Sequence, residues 1–497
     1  MNAVTKNALL AGLNKTALTA NGAATNYTSG SDNVDLFFQI GASRGKDLSA
    51  QFKTALAENA ETASRIILWA RDARKGQGER DLFRSLLAVL IQDRPDLAIA
   101  VLEKTPEIGR YDDLLVAVGT LLEDQAIKVL IDGYTGPNAP LAAKWTPVKG
   151  PVATLIRKAA YKAGIVPVLD PAVFRKFIVN LRAQGPGLVE TKMCAGEWDG
   201  IEYGKVPSRA SQIYKKAFLR HNKEGYAAWA AGLATGEAKI NASVLYPYEI
   251  TTQVYESGYG QNLKTPSKEE LQVLEAAWKA LPNYLAGSNE RIIPVVDLSG
   301  SMMTPIHKSK VQVLDVAVSL GLYLGERLEG PFKDTFISFS ERPTLHFIGK
   351  GDLTSRVKAV YSGDVGYSTN VQAVFDLILK TAVKGKVPES DMPTKVLLLS
   401  DMEFNACTEG ETNYEAIKRK YAAAGYNMPQ VVFWNLNARA GNSPVTLTDA
   451  GTALVSGFSP SIMTSVLGAK AITPQSIMED TVYVERYDHP VFASAGR

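Results

Sequence analysis

The sequence predicts a two-part protein, an all-α array of paired helices followed by an α/β domain with a doubly wound sheet. Three observations predict it. Between about residues 46 and 285, segment after segment places apolar residues at i, i+3 or i+4, and i+7. From Arg291 onward the pattern changes to short, nearly continuous apolar runs rich in β-branched residues, with helical stretches between them. The Gly287–Asn289 stretch separates the two regimes.

The expected domains are an irregular lead-in over 1–45, a helical array over 46–287 and an α/β domain over 288–497. The lead-in is rich in Asn, Thr, Gly and Ser ("TANGAATNYTSGSDN"). The array begins with "DLSAQFKTALAE", "ETASRIILWARDAR", "ERDLFRSLLAVLIQ", "RPDLAIAVLEKT" and "YDDLLVAVGTLL", joined by short polar turns. Helices of this length with short links pack as antiparallel pairs, and stacked pairs form a curved array. "PVATLIRKAAYKAG", "PAVFRKFIVNLRAQ", "SRASQIYKKAFLRHN", "KEGYAAWAAGLATG" and 266–285 continue the helical pattern. In the α/β part, "RIIPVVD", "DTFISFS", "TKVLLLSD" and "PQVVFWN" read as buried strands, and 308–328, 371–382 and 414–424 as helices. Asp297, Ser340 and Asp401 stand at strand C-termini, the end at which such sheets bind ligands.

Composition narrows the function classes. The chain has 497 residues, 46% hydrophobic and 21% charged, with a net charge of +3. No apolar run approaches the ~20 residues of a membrane helix, so no membrane partner is expected. The opening "MNAVTKNALLAGLNK" has no apolar core of an export signal, and two cysteines make no disulfide framework. The cytoplasm is the expected compartment. Charge is uneven: residues 141–225 hold fifteen Lys and Arg against six Asp and Glu, while 291–497 hold twenty against twenty-one. A local excess of that size suits an anion-binding face, or else a set of solvated helix surfaces.

The first strand of the α/β part runs into "DLSGSM". Asp297, Ser299 and Ser301 are hard oxygen donors at alternate positions, and Gly300 permits a tight turn. Such donors suit a magnesium-type divalent cation with waters completing an octahedron. Thr369, on the loop "GYSTN", and Asp401, after "VLLLS", are the expected partners. The alternative is a helix cap in which these side chains bond only loop amides. This set resembles the metal-ion-dependent adhesion site (MIDAS) of von Willebrand factor A domains. The resemblance implies ligation by the two serines and the threonine, aspartates acting directly or through water, and an open position for an acidic group from a partner. Met402 follows Asp401 where many members of that family have Gly. Catalysis by a metal-dependent hydrolase would need a general base, and none stands out. The protein is therefore expected not to be an enzyme.

The helical half offers candidate RNA contacts. "RDARKGQGERDLFR" places Arg71, Arg74, Lys75 and Arg80 around a glycine-interrupted corner, where free amides and cations suit phosphate, unless it is a plain αα-turn. "PEIGRYDDLL" reads as a capping and packing motif, with Arg110 available for a carboxylate. "EWDGIEYGKVPSRASQIYKKAFLRHN" starts a helix at Ser208 and carries Lys205, Arg209, Lys215, Lys216 and Arg220, with Tyr203 and Tyr214 interleaved for base stacking or for the core. The order of helical array, basic corner and cation-site domain is similar to the Ro autoantigen family with its TROVE module. "RKGQGER", "GRYDDLL", "KVPSRA", "LYPYEI" and "LSDMEF" look closer still to an uncharacterised Ro-like family of plants, phages and giant viruses. That resemblance implies a ring of HEAT-like repeats closed by the A domain. It also implies a non-enzymatic ribonucleoprotein component binding small or single-stranded RNA. The second function class is a cation-dependent scaffold, in which a protein partner donates an acidic side chain to the metal; the third is the hydrolase.

Overall fold

The computed structural model describes residues 16–185, 189–256, 262–339, 342–363, 370–405, 412–439, 441–469 and 472–495. Helices Ser49–Glu58, Ala60–Arg71, Arg80–Asp93 and Pro95–Ile108 pack on one another in sequence, as their apolar periodicity requires. Each starts where the chain supplies a stop or a cap. Asn59 accepts from the Thr62 amide at 3.0 Å, and Pro95 occupies the first turn, where its missing N–H costs nothing. The segment expected to form a helix from Tyr111 to Leu122 instead makes a 3-10 turn over Tyr111–Ala117. Asp113 ties the start of that turn to the Arg110 amide at 3.0 Å, and the positive φ of Gly119 breaks the continuation.

The lead-in is not irregular where it is described. β1 (Thr16–Leu18) and β2 (Ala24–Asn26) form an antiparallel hairpin, and Ser31 caps a helix over Asp32–Ile40. Three-residue strands carry no periodicity to read. They exist because the α/β unit holds them: Asn26 and Ser443 exchange backbone bonds of 2.9 Å, and the Thr19 hydroxyl donates to the Phe404 carbonyl at 2.5 Å. The Asp32–Ile40 helix lies on the sheet edge, where the Ser456 hydroxyl donates to the Phe37 carbonyl at 2.8 Å. A short hairpin, β3 (Tyr255–Glu256) and β4 (Asn262–Leu263), precedes the helix Lys268–Lys279.

The main sheet has six strands: β5 (Ile292–Asp297), β6 (Thr335–Phe339), β7 (Thr344–Phe347), β8 (Lys395–Ser400), β9 (Gln430–Asn435) and β10 (Thr452–Ser456). Their order is β10-β9-β8-β5-β6-β7, all parallel except the edge strand β7. The chain moves one way from β5 to β6 and returns to the other side at β8. That reversal puts the topological switch point between β5 and β8. β7 and β10 escape the sequence reading: β7 is a largely exposed four-residue strand, and β10 is a five-residue run between Gly451 and Gly457, too short to carry a clear period.

The expected boundary near 287 does not separate the two halves in space. Helix Pro474–Val482 lies on β10 and on Ala60–Arg71, and Pro490–Ala495 lies on Pro95–Ile108. Arg65 pairs with Asp488 at 2.6 Å, and the Tyr487 hydroxyl donates to Asp72 at 3.0 Å. At the other end of the array, Trp278 donates to Glu326 at 2.7 Å and Arg356 pairs with Glu275 at 2.6 Å. The α/β unit thus touches both the start and the end of the helical region. Among the described residues no helix is long and apolar enough to cross a membrane.

Two predictions follow from buried charge. Asp113 is fully buried and accepts from Arg71 Nε and Arg84 Nε, each at 2.7 Å. Asp113→Ala leaves buried Arg71 without its counter-charge and should destabilise by about 3–5 kcal/mol in urea unfolding. Burial pushes the Asp35 carboxyl up to about 6 from 3.8, against hydrogen bonds from Thr28 and Ser29. A raised carboxyl favours the folded state fully below about pH 4, and that contribution is lost as pH rises through about 6. Asp35→Asn should therefore stabilise at pH 7.5 by on the order of 1–2 kcal/mol, with the gain vanishing near pH 4.

Candidate functional site

β5 and β8 deliver two carboxylates to the switch-point crevice. Both strands are buried on both faces, so their C-terminal residues stay desolvated. Asp297 has no solvent exposure; its Oδ1 accepts from the Ser299 amide at 2.9 Å and its Oδ2 from the Ser400 hydroxyl at 2.6 Å. The chain then turns through Gly300, and the Ser299 and Ser301 hydroxyl oxygens lie 3.0 Å apart. Asp401 is also buried, and its Oδ1 accepts from the Glu403 amide at 3.3 Å. Its Oδ2 is buried without a hydrogen-bond partner among the described residues; the nearest cation is Arg439 Nη2 at 3.6 Å.

Met402 occupies the left-handed region at φ 65 and is buried. This is the position at which the resemblance leads one to expect Gly, and the left-handed turn is made despite the side chain. Two side chains hold it: the Met402 amide donates to Ser400 Oγ at 3.1 Å, and Asn442 donates to its carbonyl at 2.9 Å.

Two buried carboxylates at one crevice carry an electrostatic cost. Burial, then the Asp401 charge, push the Asp297 carboxyl up to about 7, against hydrogen bonds from Ser400 and Ser299. Burial raises Asp401 as well, opposed by the Glu403 amide, by Arg439 and by the Ser301 hydroxyl. A bound divalent cation would remove that cost, and the unpartnered Asp401 Oδ2 beside two paired hydroxyls is a donor set that fits one. Among the described residues no group of three or more His, Cys, Asp or Glu is gathered for a metal, so any such site depends on the serines. Asp297, Ser299, Ser301 and Asp401 are brought to this crevice. Thr369 lies outside the described residues, as does Ser340.

The basic corner is a junction rather than a phosphate cradle. The amides of Gly76 and Gly78 donate to the Asp72 carbonyl, and those of Gln77 and Glu79 to the Trp69 and Ala70 carbonyls. The four amides from Gly76 to Glu79 are therefore not open to an anion. Gln77 Oε1 accepts from the Phe458 and Ser459 amides at 3.1 and 3.3 Å, pinning the corner to the end of β10. A Cβ at Gly76 would stand 1.8 Å from the Trp69 carbonyl oxygen, and one at Gly78 2.3 Å from the Tyr246 hydroxyl.

The nine nominated RNA contacts divide accordingly. Arg71 is buried against Asp113, contrary to expectation. Arg209 pairs with Glu249 at 3.3 Å and stacks over Tyr246, Lys215 pairs with Glu270 at 2.8 Å, and Lys205 pairs with Glu202 at 2.6 Å. Arg74, Lys75, Arg80, Lys216 and Arg220 are exposed, Arg80 beside Asp81. Tyr203 is buried in a small aromatic cluster with Phe218 and Tyr226, and Tyr214 packs on Phe218 and donates to Glu190, so neither is free to stack on a base.

Two features escaped the sequence reading. Lys149, Lys158, Lys162, Arg175 and Lys176 are all exposed on helices Gly150–Lys162 and Pro171–Ala183 or at their ends. None forms an ion pair among the described residues, and Asp170, the carboxylate between the two helices, is committed to the Ala172 and Val173 amides. Tyr161 is exposed beside Lys162. Their signal was present in the regional charge excess but not in any motif. The second feature is a cavity of about 780 Å³ whose wall mixes Arg44, Lys46, Arg80 and Arg209 with Asp47, Glu79, Asp81 and Glu249, with His307 added from the α/β unit. "RKGQGER", "GRYDDLL", "KVPSRA" and "LYPYEI" each contribute to its wall. Lys46, on the cavity wall, has its pKa lowered by burial and by Arg439, with Asp401 opposing.

Comparison with known proteins places this geometry among uncharacterised relatives. Residues 19–127 and 167–289 match one domain of unknown function (DUF2828), and residues 291–489 match a second (DUF7788). An uncharacterised protein of Acanthamoeba polyphaga mimivirus is 28% identical over 93% of this chain and 86% of its own length. The crystal structure of the Deinococcus radiodurans RO (RSR) protein is similar with a TM-score of 0.45 and 14% identity, over 91% of this chain and all of that one.

The crevice makes a prediction of its own. Millimolar MgCl2 should raise the melting temperature of the wild type by a few degrees and leave Asp297→Ala and Ser299→Ala unmoved, in thermal melts read by intrinsic fluorescence.

Proposed function

We propose that the protein is a non-enzymatic RNA-binding protein, with single-stranded or small structured RNA held on the helical half and a magnesium-type cation at the crevice of the α/β unit. The observation that carries this reading is that Lys149, Lys158, Lys162, Arg175 and Lys176 are all exposed and none is ion-paired among the described residues. Arg71, Lys205, Arg209 and Lys215 are neutralised by carboxylates; these five exposed cations have one carboxylate between them in sequence, Asp170, which caps a helix. Phosphate neutralisation by such a set releases counterions and gives affinity without sequence preference. Exposed Tyr161 adds a face on which a base can stack. Lys216 and Arg220, exposed on the Ser208–His221 helix, extend the same chemistry. A binding role of this kind agrees with what the Ro-like resemblance implies. The α/β unit, with a charge near neutrality, serves the crevice and clasps both ends of the array.

The test is salt-dependent binding of a fluorescein-labelled oligouridylate, followed by anisotropy. Wild type should bind with a steep salt slope. Lys158→Glu/Lys162→Glu/Arg175→Glu should lose at least ~tenfold in affinity and flatten the slope by about three phosphate contacts. Unchanged affinity and slope in that folded variant would sink the reading.

A further inference from the structure

We infer that the cation-bearing helices take unpaired nucleotides rather than duplex, and that Tyr161, Val179 and Ile213 are the side chains that make this choice. This rests on the RNA reading above and names the form of RNA accepted. Tyr161, Val168, Leu169 and Val179 are all exposed, four large apolar side chains between 161 and 179. Lys162, Arg175 and Lys176 are exposed in the same stretch. Helical spacing fixes what stands beside each apolar side chain, because residues three or four apart lie about 5–6 Å from one another at Cβ. On Gly150–Lys162, Lys158 is three residues before Tyr161 and four before Lys162. On Pro171–Ala183, Arg175 and Lys176 precede Val179 by four and three. On Ser208–His221, Ile213 precedes Lys216 by three, and Lys216 precedes Arg220 by four. Tyr161, Val179 and Ile213 are 47%, 57% and 72% exposed. None of the six cations forms an ion pair among the described residues. Three helices therefore repeat one device, an exposed apolar side chain beside unpaired cations.

Carboxylates near these helices are few and mostly committed. Asp170 is the one acidic residue between Asp132 and Glu190, against eight Lys and Arg. The Val173 and Ala172 amides hold its carboxyl low, and Arg157 and Arg175, one from each helix, act in the same direction. On the helix Glu123–Asp132, which packs on Gly150–Lys162, Asp132 pairs with Lys128 and Glu123 accepts from the Gly119 amide. Asp124 is the uncommitted carboxylate of that helix among the described residues. Beside Ser208–His221, Glu249 is taken by Arg209 and Glu270 by Lys215. The ligand that suits such surfaces is a polyanion that also covers apolar side chains. Duplex RNA turns its base faces inward and offers phosphates and 2′-hydroxyls, which would leave the apolar side chains in water. A single strand offers phosphates and unpaired base faces together. An anionic bilayer calls for apolar side chains gathered on one helix face with the cations opposite; on these helices the two kinds are interleaved.

The test is anisotropy with the labelled oligouridylate and with a labelled RNA duplex of the same length. Phosphates are denser along the duplex, so charge alone favours it. Wild type should nonetheless bind the single strand more tightly, by on the order of tenfold. Tyr161→Ser/Val179→Ser/Ile213→Ser should lose that advantage, leave duplex affinity unchanged and keep the salt slope, because no charge is removed. Tyr161→Phe should keep the wild-type preference. All three positions are exposed, so every variant should melt with the wild type. Unchanged single-strand affinity in the triple-serine variant, with binding still lost in Lys158→Glu/Lys162→Glu/Arg175→Glu, would overturn this inference and leave the RNA reading standing. So would a wild type that binds the duplex as tightly as the single strand. Displacement of the single strand by phosphatidylserine vesicles that bind wild type more tightly than the triple-serine variant would overturn it in favour of a membrane surface. Absence of RNA binding under every condition would overturn both.

Discussion

The corner between Arg71 and Glu79 is the constraint on which the two halves depend. Its backbone turns back on itself so tightly that Gly76 sits against a carbonyl of the preceding helix. That tightness lets Gln77 reach into the α/β unit and accept two amides at the end of β10. Asp72, one turn away, receives Arg486 and Tyr487 from the C-terminal segment. The Gln77 carbonyl receives the Tyr246 hydroxyl at 2.6 Å, which brings the later helices to the same point. Four distant stretches of sequence are thus fixed by polar groups within a few residues of one another. Asp72, Gln77, Tyr246 and Tyr487 are buried, so each bond lost among them carries the cost of an unsatisfied partner.

Such a junction explains why arginines that look free in the sequence are not free in the molecule. Arg71, Arg84 and Arg110 converge on Asp112 and Asp113, and Arg110 also lies 3.3 Å from the centre of the Trp145 ring. Arg44 is committed to Glu79. These pairs line the inter-half cavity, and they hold its walls at fixed charge rather than leaving them to rearrange. The exposed cations of the Gly150–Lys162 and Pro171–Ala183 helices are different in kind. They lie away from the junction and meet solvent, which is where long-range attraction for a polyanion acts.

At the sheet, the same logic runs in the opposite sign. Parallel strands buried on both faces end in carboxylates at a crevice with little water, and the two carboxylates repel. Serine hydroxyls and loop amides soften that repulsion without removing it. A strained Met402 turn is tolerated because Asn442 and Ser400 hold both ends of it. The N-terminal hairpin closes over the following residues, with the Ala20 amide and the Asn21 side chain on Glu403. The crevice is therefore shaped by residues nearly four hundred positions away in the chain.

Much of this was legible in the sequence by itself. Periodicity of 3.6 determined the helices from Ser49 to Ile108, and continuous β-branched runs determined β5, β6, β8 and β9. Donor chemistry at alternate positions singled out Asp297, Ser299 and Ser301, and strand ending singled out Asp401. What the tertiary structure decided was the partner of every charge. A lysine or arginine reads the same whether a carboxylate faces it or water does, and that carboxylate is often forty or more residues distant, as Asp113 is from Arg71 and Glu270 from Lys215. The short strands β1, β2 and β7 were likewise beyond the sequence, because three or four residues carry no period and their pairing energy comes from a neighbour folded elsewhere. Local pattern fixes local backbone; charge pairing, burial and edge pairing belong to distance in space.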